Sequence, residues 1–371
     1  MINGAGKDRP VLITGGAGFI GTNLAHRLLE QGRSVIVFDN LSRAGVEENL
    51  QWLRKQHHAG LEVEIEDIRN LIALRRSVAR AGAVFHFAAQ VAVTTSLTEP
   101  IHDFEVNARG TLNLLEAIRA QPEPPSLLFT STNKVYGALE DLPLRNAAKR
   151  YAPQESTIRA HGVGEDRPLH FHSPYGCSKG AADQYVLDYA RTYGLPAVVF
   201  RMSCIYGPHQ FGTEDQGWVA HFLIRAIENE TITLYGDGKQ VRDLLFIEDL
   251  VDAFLAVEER IDFLSGEAFN IGGGPANAIS LLELVEQIGA LRGKKPSVQL
   301  DAWRRADQRY YVSDTRKFQA ATGWVPRTDV EKGIEALHEW LLAFRSERSA
   351  LKRPRSVSKI RLSRTAERGA A

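Results

Sequence analysis

The chain has 371 residues, is 44% apolar and carries equal numbers of acidic and basic side chains, an ordinary globular composition that can bury a large core in one unit or two joined domains. No apolar run approaches the roughly 18 residues of a membrane span, and the start at Met1 lacks a signal peptide's apolar core, so membrane insertion and secretion are not expected and the cytoplasm is the default. Cys177 and Cys204 are too few for a disulfide framework and lack zinc-site spacing, so no metal is expected.

Val11-Leu12-Ile13-Thr14 has the apolar run of a buried parallel strand, and Gly15 to Gly21 turns from it into an amphipathic segment, Thr22 to Gln31. Strand, glycine turn and helix together form a pyrophosphate seat: glycines let the backbone come close, and the free N–H groups of the helix start bind the charge. A second strand, Ser34 to Phe38, ends at Asp39, 18 residues beyond Gly21, where a ribose-binding acid belongs. Asp39 would accept from the adenosine ribose hydroxyls and repel a 2′-phosphate, which favours NAD; Arg43 nearby is the one feature that would suit NADP.

Leu61–Ile65 leads to Asp67, Ala83–Phe87 leads to Ala88 and Gln90, and each is followed by a helix-compatible segment. Leu112, Leu115 and Ile118 mark a helical face, and Ser126–Thr130 is a fifth strand running into Thr132, which brings a hydroxyl to the edge where the cofactor should lie. The alternation predicts a doubly wound, Rossmann-type parallel sheet with its ligand at the carboxyl ends of the strands. Residues 138–172 are long and mixed in character, as lids and binding loops are. Their His161, His170 and His172 have no metal-ligand spacing and read as solvated.

Tyr175 and Lys179 follow, four apart on a predicted helix, which sets both side chains on one face about 5–6 Å apart at Cβ. A tyrosine hydroxyl has a pKa of about 10, and a nearby ammonium should lower it by stabilising the phenolate, making the pair a proton-transferring unit.

Ala197–Arg201 reads as a sixth strand, with a turn out of the sheet at Cys204 to Pro208. Ile232–Tyr235 and Val241–Leu245 look like two strands joined by the Gly236-Asp237-Gly238 turn, and Ala268–Ile271 returns to the sheet. These boundaries assign residues 8–205 and 240–275 to a cofactor-binding domain and 206–239 and 276–344 to a smaller α/β substrate domain. Arg242 and Arg304 are candidate forked donors for a diphosphate. Trp218 reads as core in preference to a nucleobase platform. Residues 345–371 hold nine Lys/Arg against two Asp/Glu and should form a disordered basic tail; nothing in it reads nucleic acid bases.

Thr14 to Gly21, Thr132, and Tyr175 with Lys179 together resemble the extended short-chain dehydrogenase/reductase family, which works on nucleotide sugars; the likeness spans about residues 10 to 340. Within it, Ser131 to Gly137, Phe171 to Arg191, Asp215 to Val219 and Gly238 to Asp243 resemble the epimerases that invert C2 of a cytidine-diphosphate sugar. The resemblance implies NAD as cofactor, a nucleotide-diphosphate sugar as substrate, and Thr132, Tyr175 and Lys179 as catalytic residues. It implies cofactor contacts from Gly15, Gly18, Phe19, Ile20 and Gly21, then Asp39, Asn40, Asp67 and Ile68, and finally Ala88, Gln90, Asn107, Thr130, Tyr175 and Lys179. Substrate contacts carry over to Thr132, Asn133, Cys204, Gln216, Arg242 and Arg304. Cys204 departs from the family, which often has an amide there, and residues 138–168 contain little that matches.

The same residues suit a UDP-sugar 4-epimerase. A 4,6-dehydratase fits less well, because relatives carry Asp-Glu where this chain has Asn133 and Lys134, and a non-catalytic NAD-binding regulator would not need Tyr175, Lys179 and Thr132. Helices near 103–120 and 174–193 resemble those through which the family pairs its subunits, which implies a homodimer or homotetramer.

Overall fold

A computed structural model describes residues 9–304 and 307–352. Its five amino-terminal strands are β1 (Val11–Thr14), β2 (Val35–Asp39), β3 (Leu61–Ile65), β4 (Ala83–His86) and β5 (Ser126–Thr132). Next come β6 (Leu144–Asn146), β7 (Tyr151–Pro153), β8 (Ala197–Met202), β9 (Cys204–Tyr206), β10 (Ile232–Tyr235) and β11 (Val241–Phe246). The last four are β12 (Ala268–Ile271), β13 (Ala278–Ser280), β14 (Val298–Asp301) and β15 (Tyr310–Tyr311).

Seven strands form one parallel sheet in the order β12-β8-β5-β4-β1-β2-β3, the doubly wound arrangement expected from the alternating pattern. The period of two divides their side chains between two cores. Val11, Ile13, Val37, Phe85 and Phe200 pack with Leu24, Leu50 and Phe254 of the helices Phe19–Glu30, Val46–Gln56 and Ile247–Glu258. Leu12, Ile36, Phe38, Phe129 and Val199 pack on the opposite face with Leu74, Leu114 and Val186 of Leu71–Val78, Gly110–Arg119 and Ser173–Tyr193. Both faces are covered except at the edge strand β3, which is why the inner strands read as continuous apolar runs.

Three stretches depart from the sequence reading. Ile232–Tyr235 and Val241–Phe246 are both strands but do not pair with each other: β10 runs parallel to β14, while β11 takes β9, β13 and β15 as partners. The turn residues Gly236 and Gly238 have φ of +82° and +74° and send the chain into a different sheet, so the stretch 240–275 is split between the small sheet (β11) and the large one (β12). Residues 138–172 are not an open loop. β6 and β7 pair, and the hairpin is fastened by Tyr151 donating to Asp237 (2.7 Å), Arg150 to Glu283 (2.7 Å) and Lys149 to Glu286 (2.7 Å). Finally, the helix Val330–Lys352 runs past Arg345, where disorder was expected, and the rest of the basic tail lies outside the described residues. Among the described residues no helix is long and apolar enough to cross a membrane, and no His, Cys, Asp or Glu cluster could hold a metal.

Candidate active site

The turn after β1 is built by backbone contact. Gly15 has φ +70°, and a Cβ there would stand 2.7 Å from the Ala88 nitrogen; one on Gly21 would stand 2.4 Å from the Gly15 carbonyl oxygen. Only glycine fits at either position. The helix that follows starts at Gly18 with no side-chain cap and no acid in its first turn, which leaves its N–H groups for an external anion. At the end of β2, Asp39 accepts from Leu41 N (2.8 Å) and Ala17 N (3.1 Å), which braces the same turn; burial raises its pKa. Arg43 faces both Asp39 and Tyr175. An exposed-N–H cradle with a carboxylate beside it fits a dinucleotide.

The other expected cofactor residues divide into two groups. Asp67 is held well below the usual carboxylate range, first by Arg69, which donates through Nε at 2.8 Å, and also by Asn40 at 2.9 Å. The Ile68 side chain is buried in the core behind the sheet. The Gln90 backbone is clasped by Asn107, which accepts from Gln90 N (2.9 Å) and donates to Gln90 O (3.0 Å), to Asp103 (3.1 Å) and to Ser178 (3.1 Å). Ser178 donates in turn to Asp103. This buried Asp103–Asn107–Ser178 network, which holds the helix Ser173–Tyr193 against the helices of 93–109, was not visible from local patterns.

Thr132 ends β5, and the Tyr175 hydroxyl faces its hydroxyl. Thr132 Oγ1 also accepts from Lys134 N at 3.2 Å. Ser173–Tyr193 does present Tyr175 and Lys179 on one buried face, 8% and 4% exposed. The expected lowering of the tyrosine pKa is not found: burial dominates and pushes Tyr175 up to about 12, against the opposing effects of Thr132 and Arg43. Lys179 donates instead to the Thr130 carbonyl (2.6 Å) and lies 4.3 Å from the centre of the Phe129 ring. Burial lowers its own pKa to about 7, so its charge is marginal at neutral pH.

Phe19, Ile20, Thr130, Thr132, Tyr175 and Lys179 line one cavity of about 450 Å³. Asn133, Cys204, Gln216, Arg242 and Arg304 line the same cavity, so the structure gathers the expected catalytic and substrate residues into one space of ligand size. Arg242 Nη2 donates to Asp307 (2.7 Å), and Arg304 lies 3.8 Å over the Tyr235 ring while donating to the Glu214 carbonyl (3.0 Å). Asn133 Nδ2 donates to Gln308 (3.3 Å), and burial raises the Cys204 thiol pKa. Cavity residues that sequence reasoning did not assign to the site include Asp307, Lys134, Thr94 and Trp218. Trp218, read as core, is half-buried in the cavity wall and donates Nε1–H to Cys204 Sγ at 3.4 Å.

A doubly wound sheet with a glycine-turn nucleotide cradle and a Thr–Tyr–Lys group at its carboxyl edge defines a dinucleotide-dependent enzyme that moves a proton and a hydride at one carbinol. The NAD dependent epimerase/dehydratase family matches residues 11–272, and the chain belongs to it. It is 44% identical to the CDP-paratose 2-epimerase of Salmonella typhi over 89% of this chain and 98% of that one. Among solved structures it is similar to a UDP-glucose 4-epimerase from Thermotoga maritima (TM-score 0.77, 30% identity, 90% of this chain and 99% of that one). It is also similar to a dTDP-glucose 4,6-dehydratase from Bacillus anthracis in complex with NAD (TM-score 0.76, 30% identity, 93% and 100%). The protein is an NAD-dependent nucleotide-sugar epimerase.

Proposed function

We propose that the enzyme inverts C2 of CDP-paratose to give CDP-tyvelose through a 2-keto sugar. The observation that carries the reading is that the Thr132–Tyr175 hydroxyl pair and the two arginines, Arg242 and Arg304, open into one cavity, while the residues after Thr132 are Asn133 and Lys134. A single diphosphate sugar can therefore meet acid-base and phosphate contacts together, and the Asp-Glu pair that dehydratases carry beside this threonine is missing. The relative from Salmonella typhi, alike over nearly its whole length, supports the choice of base and carbon.

NAD held at the glycine turn would accept a hydride from C2 and give it back. Tyr175 takes the proton of the C2 hydroxyl as the C–H bond breaks and the carbonyl forms, and Thr132 holds the same oxygen. Once the sugar has presented its other face, Tyr175 returns the proton to that oxygen as C2 regains hydrogen, so the product is inverted with no net oxidation. Lys179 fixes the end of β5 through the Thr130 carbonyl, and Arg43 supplies positive charge facing the phenolate. Asn133, Cys204 and Gln216 are assigned to the sugar, and Arg242 with Arg304 to the diphosphate.

Residues 206–239 and 276–344 are proposed to form the substrate half, and the reading goes with a cytoplasmic enzyme of polysaccharide building. Exposed Leu97, Ile101, Phe104, Tyr185 and Tyr193 on the helices of 93–104 and 173–193 support a homodimer or larger, to be read by sedimentation velocity. A monomer at micromolar concentration would remove that assignment.

The test of function is proton NMR of CDP-paratose, CDP-glucose and UDP-glucose incubated with the enzyme in deuterated water. Inversion at C2 without deuterium entering the ring is expected. Inversion at C4 would move the reading to a 4-epimerase, and ring deuterium would exclude direct hydride return.

A further inference from the structure

Lys134 lies two residues beyond Thr132, on the single 3-10 turn Asn133–Tyr136 that follows β5. Its backbone packs against the helix Ser173–Tyr193, where a Cβ on Gly176 would make ordinary contact with the Lys134 carbonyl oxygen at 3.4 Å. The side chain lines the cavity together with Thr132 and Arg242. It is 20% exposed, and its Nζ is 3.4 Å from Gln308 Oε1 and 3.8 Å from Asp307 Oδ1. That same Asp307 oxygen accepts from Arg242 at 2.7 Å, so one carboxylate serves two cations and this group of three keeps a net positive charge. A wall that only had to be filled would be better filled by leucine or methionine, because a poorly paired buried ammonium opposes folding. An anion in the cavity would complete the pairing.

Resting on the nucleotide-sugar reading, we propose that Lys134 is a specificity-determining substrate contact whose ammonium takes a phosphate oxygen at the sugar end of the diphosphate, holding the pivot on which the sugar turns between its two faces. The charged and titratable groups facing it are Arg242 from β11, Asp307 from the segment before β15 and Cys204 from β9. Burial, with Arg242 adding to it, lowers the Lys134 pKa to about 8, and Asp307 and Cys204 oppose the shift. A bound diphosphate favours the ammonium and raises that pKa. Capture of substrate is then linked to a proton: affinity is full below about pH 8 and falls about tenfold per unit as pH rises above it, until the raised pKa of the complex is reached.

The test is calorimetric titration of the NAD-loaded enzyme with CDP-glucose, whose diphosphate does not titrate in this range, at pH 7 and 9 in buffers of different ionisation enthalpy. UDP-glucose at pH 7 serves as a second probe, and the parent is compared with Lys134→Met and Lys134→Arg. The parent should bind without proton uptake at pH 7 and with uptake approaching one proton at pH 9. Lys134→Met should bind about 10- to 100-fold more weakly at pH 7, lose that uptake and melt no lower than the parent, whereas Lys134→Arg should regain affinity with a flat pH profile. Unchanged affinity and proton uptake in Lys134→Met would assign the proton to another group, Lys179 first, and overturn the inference. So would weakened binding that follows only a lowered melting temperature and is not recovered by arginine. If the parent binds neither probe, the nucleotide-sugar reading itself fails, and this inference fails with it.

Discussion

With its pKa raised to about 12 by burial, the Tyr175 hydroxyl is a poor base at neutral pH; ionising it there would cost roughly 7 kcal/mol. The groups that favour the phenolate, Thr132 and Arg43, are therefore as much a part of the proposed proton transfer as the tyrosine itself. Tyr175→Phe keeps the ring in the cavity wall and removes only the oxygen. Turnover should fall about 10²- to 10⁴-fold while the NAD released on denaturation, read by absorbance, stays at the parent level. Parental turnover in that variant would take proton transfer away from Tyr175. The placement of Tyr175 and Lys179 together was legible because a helical repeat brings residues four apart onto one face. The bond that holds Lys179 was not, because its partner carbonyl, on Thr130, lies 49 residues earlier and is placed only by the packing of helix on strand.

At the level of strands and helices, continuous apolar runs revealed most of the large sheet, since all its strands but the edge strand β3 are buried between the two helical layers. The small sheet was misread because β10 and β11 take partners from residues 204–206, 278–280, 298–301 and 310–311, which a local glycine turn says nothing about. One histidine ties these layers together. His86, at the end of β4, is 1% exposed, bonded through Nδ1 to Thr14 Oγ1 of β1 (2.6 Å) and through Nε2 to Thr111 Oγ1 of the helix Gly110–Arg119 (3.0 Å). Burial lowers its pKa to about 3, with Lys179 adding to the effect. Its folded pKa thus lies below the ordinary value of about 6.5, and between the two the unfolded chain binds more protons, so stability is full above about 6.5 and is lost as pH falls towards 3. Between pH 6.5 and 5 the loss from this one residue is about 2 kcal/mol. His86→Gln, which cannot charge, should show a shallower fall in melting temperature from pH 7 to 5 by differential scanning calorimetry. An acid slope equal to the parent's would assign the effect to other groups, among them His209, whose pKa burial lowers to about 4.

Across the whole molecule, the cofactor turn and the chain that closes the substrate cavity are joined by two asparagines that nothing in their neighbouring sequence marks out. Asn49, 2% exposed, donates through Nδ2 to the carbonyls of Ala17 in the glycine turn (3.2 Å) and of His209 (3.2 Å). Asn23 does the same between Phe19 (2.8 Å) and Pro208 (3.0 Å). The segment they anchor continues into Gln210, Glu214, Gln216 and Trp218, all in the cavity wall. Replacing Asn49 by alanine leaves two buried carbonyls without this donor, at a cost of about 1–3 kcal/mol for each group left unpaired. If the segment owes its position to the cofactor turn, Asn49→Ala should raise KM for the nucleotide sugar about tenfold, and change kcat and bound NAD much less, because the groups proposed to react, on β5 and Ser173–Tyr193, are untouched. A lowered melting temperature with unchanged KM would mean that the segment holds itself. Its own packing offers that alternative, since a Cβ on Gly212 would stand 2.5 Å from both the Gly217 oxygen and the His221 nitrogen. A rise in KM therefore separates coupling between the two halves from a local loss of stability, which would act on folded population and leave the affinity of the folded enzyme as it was.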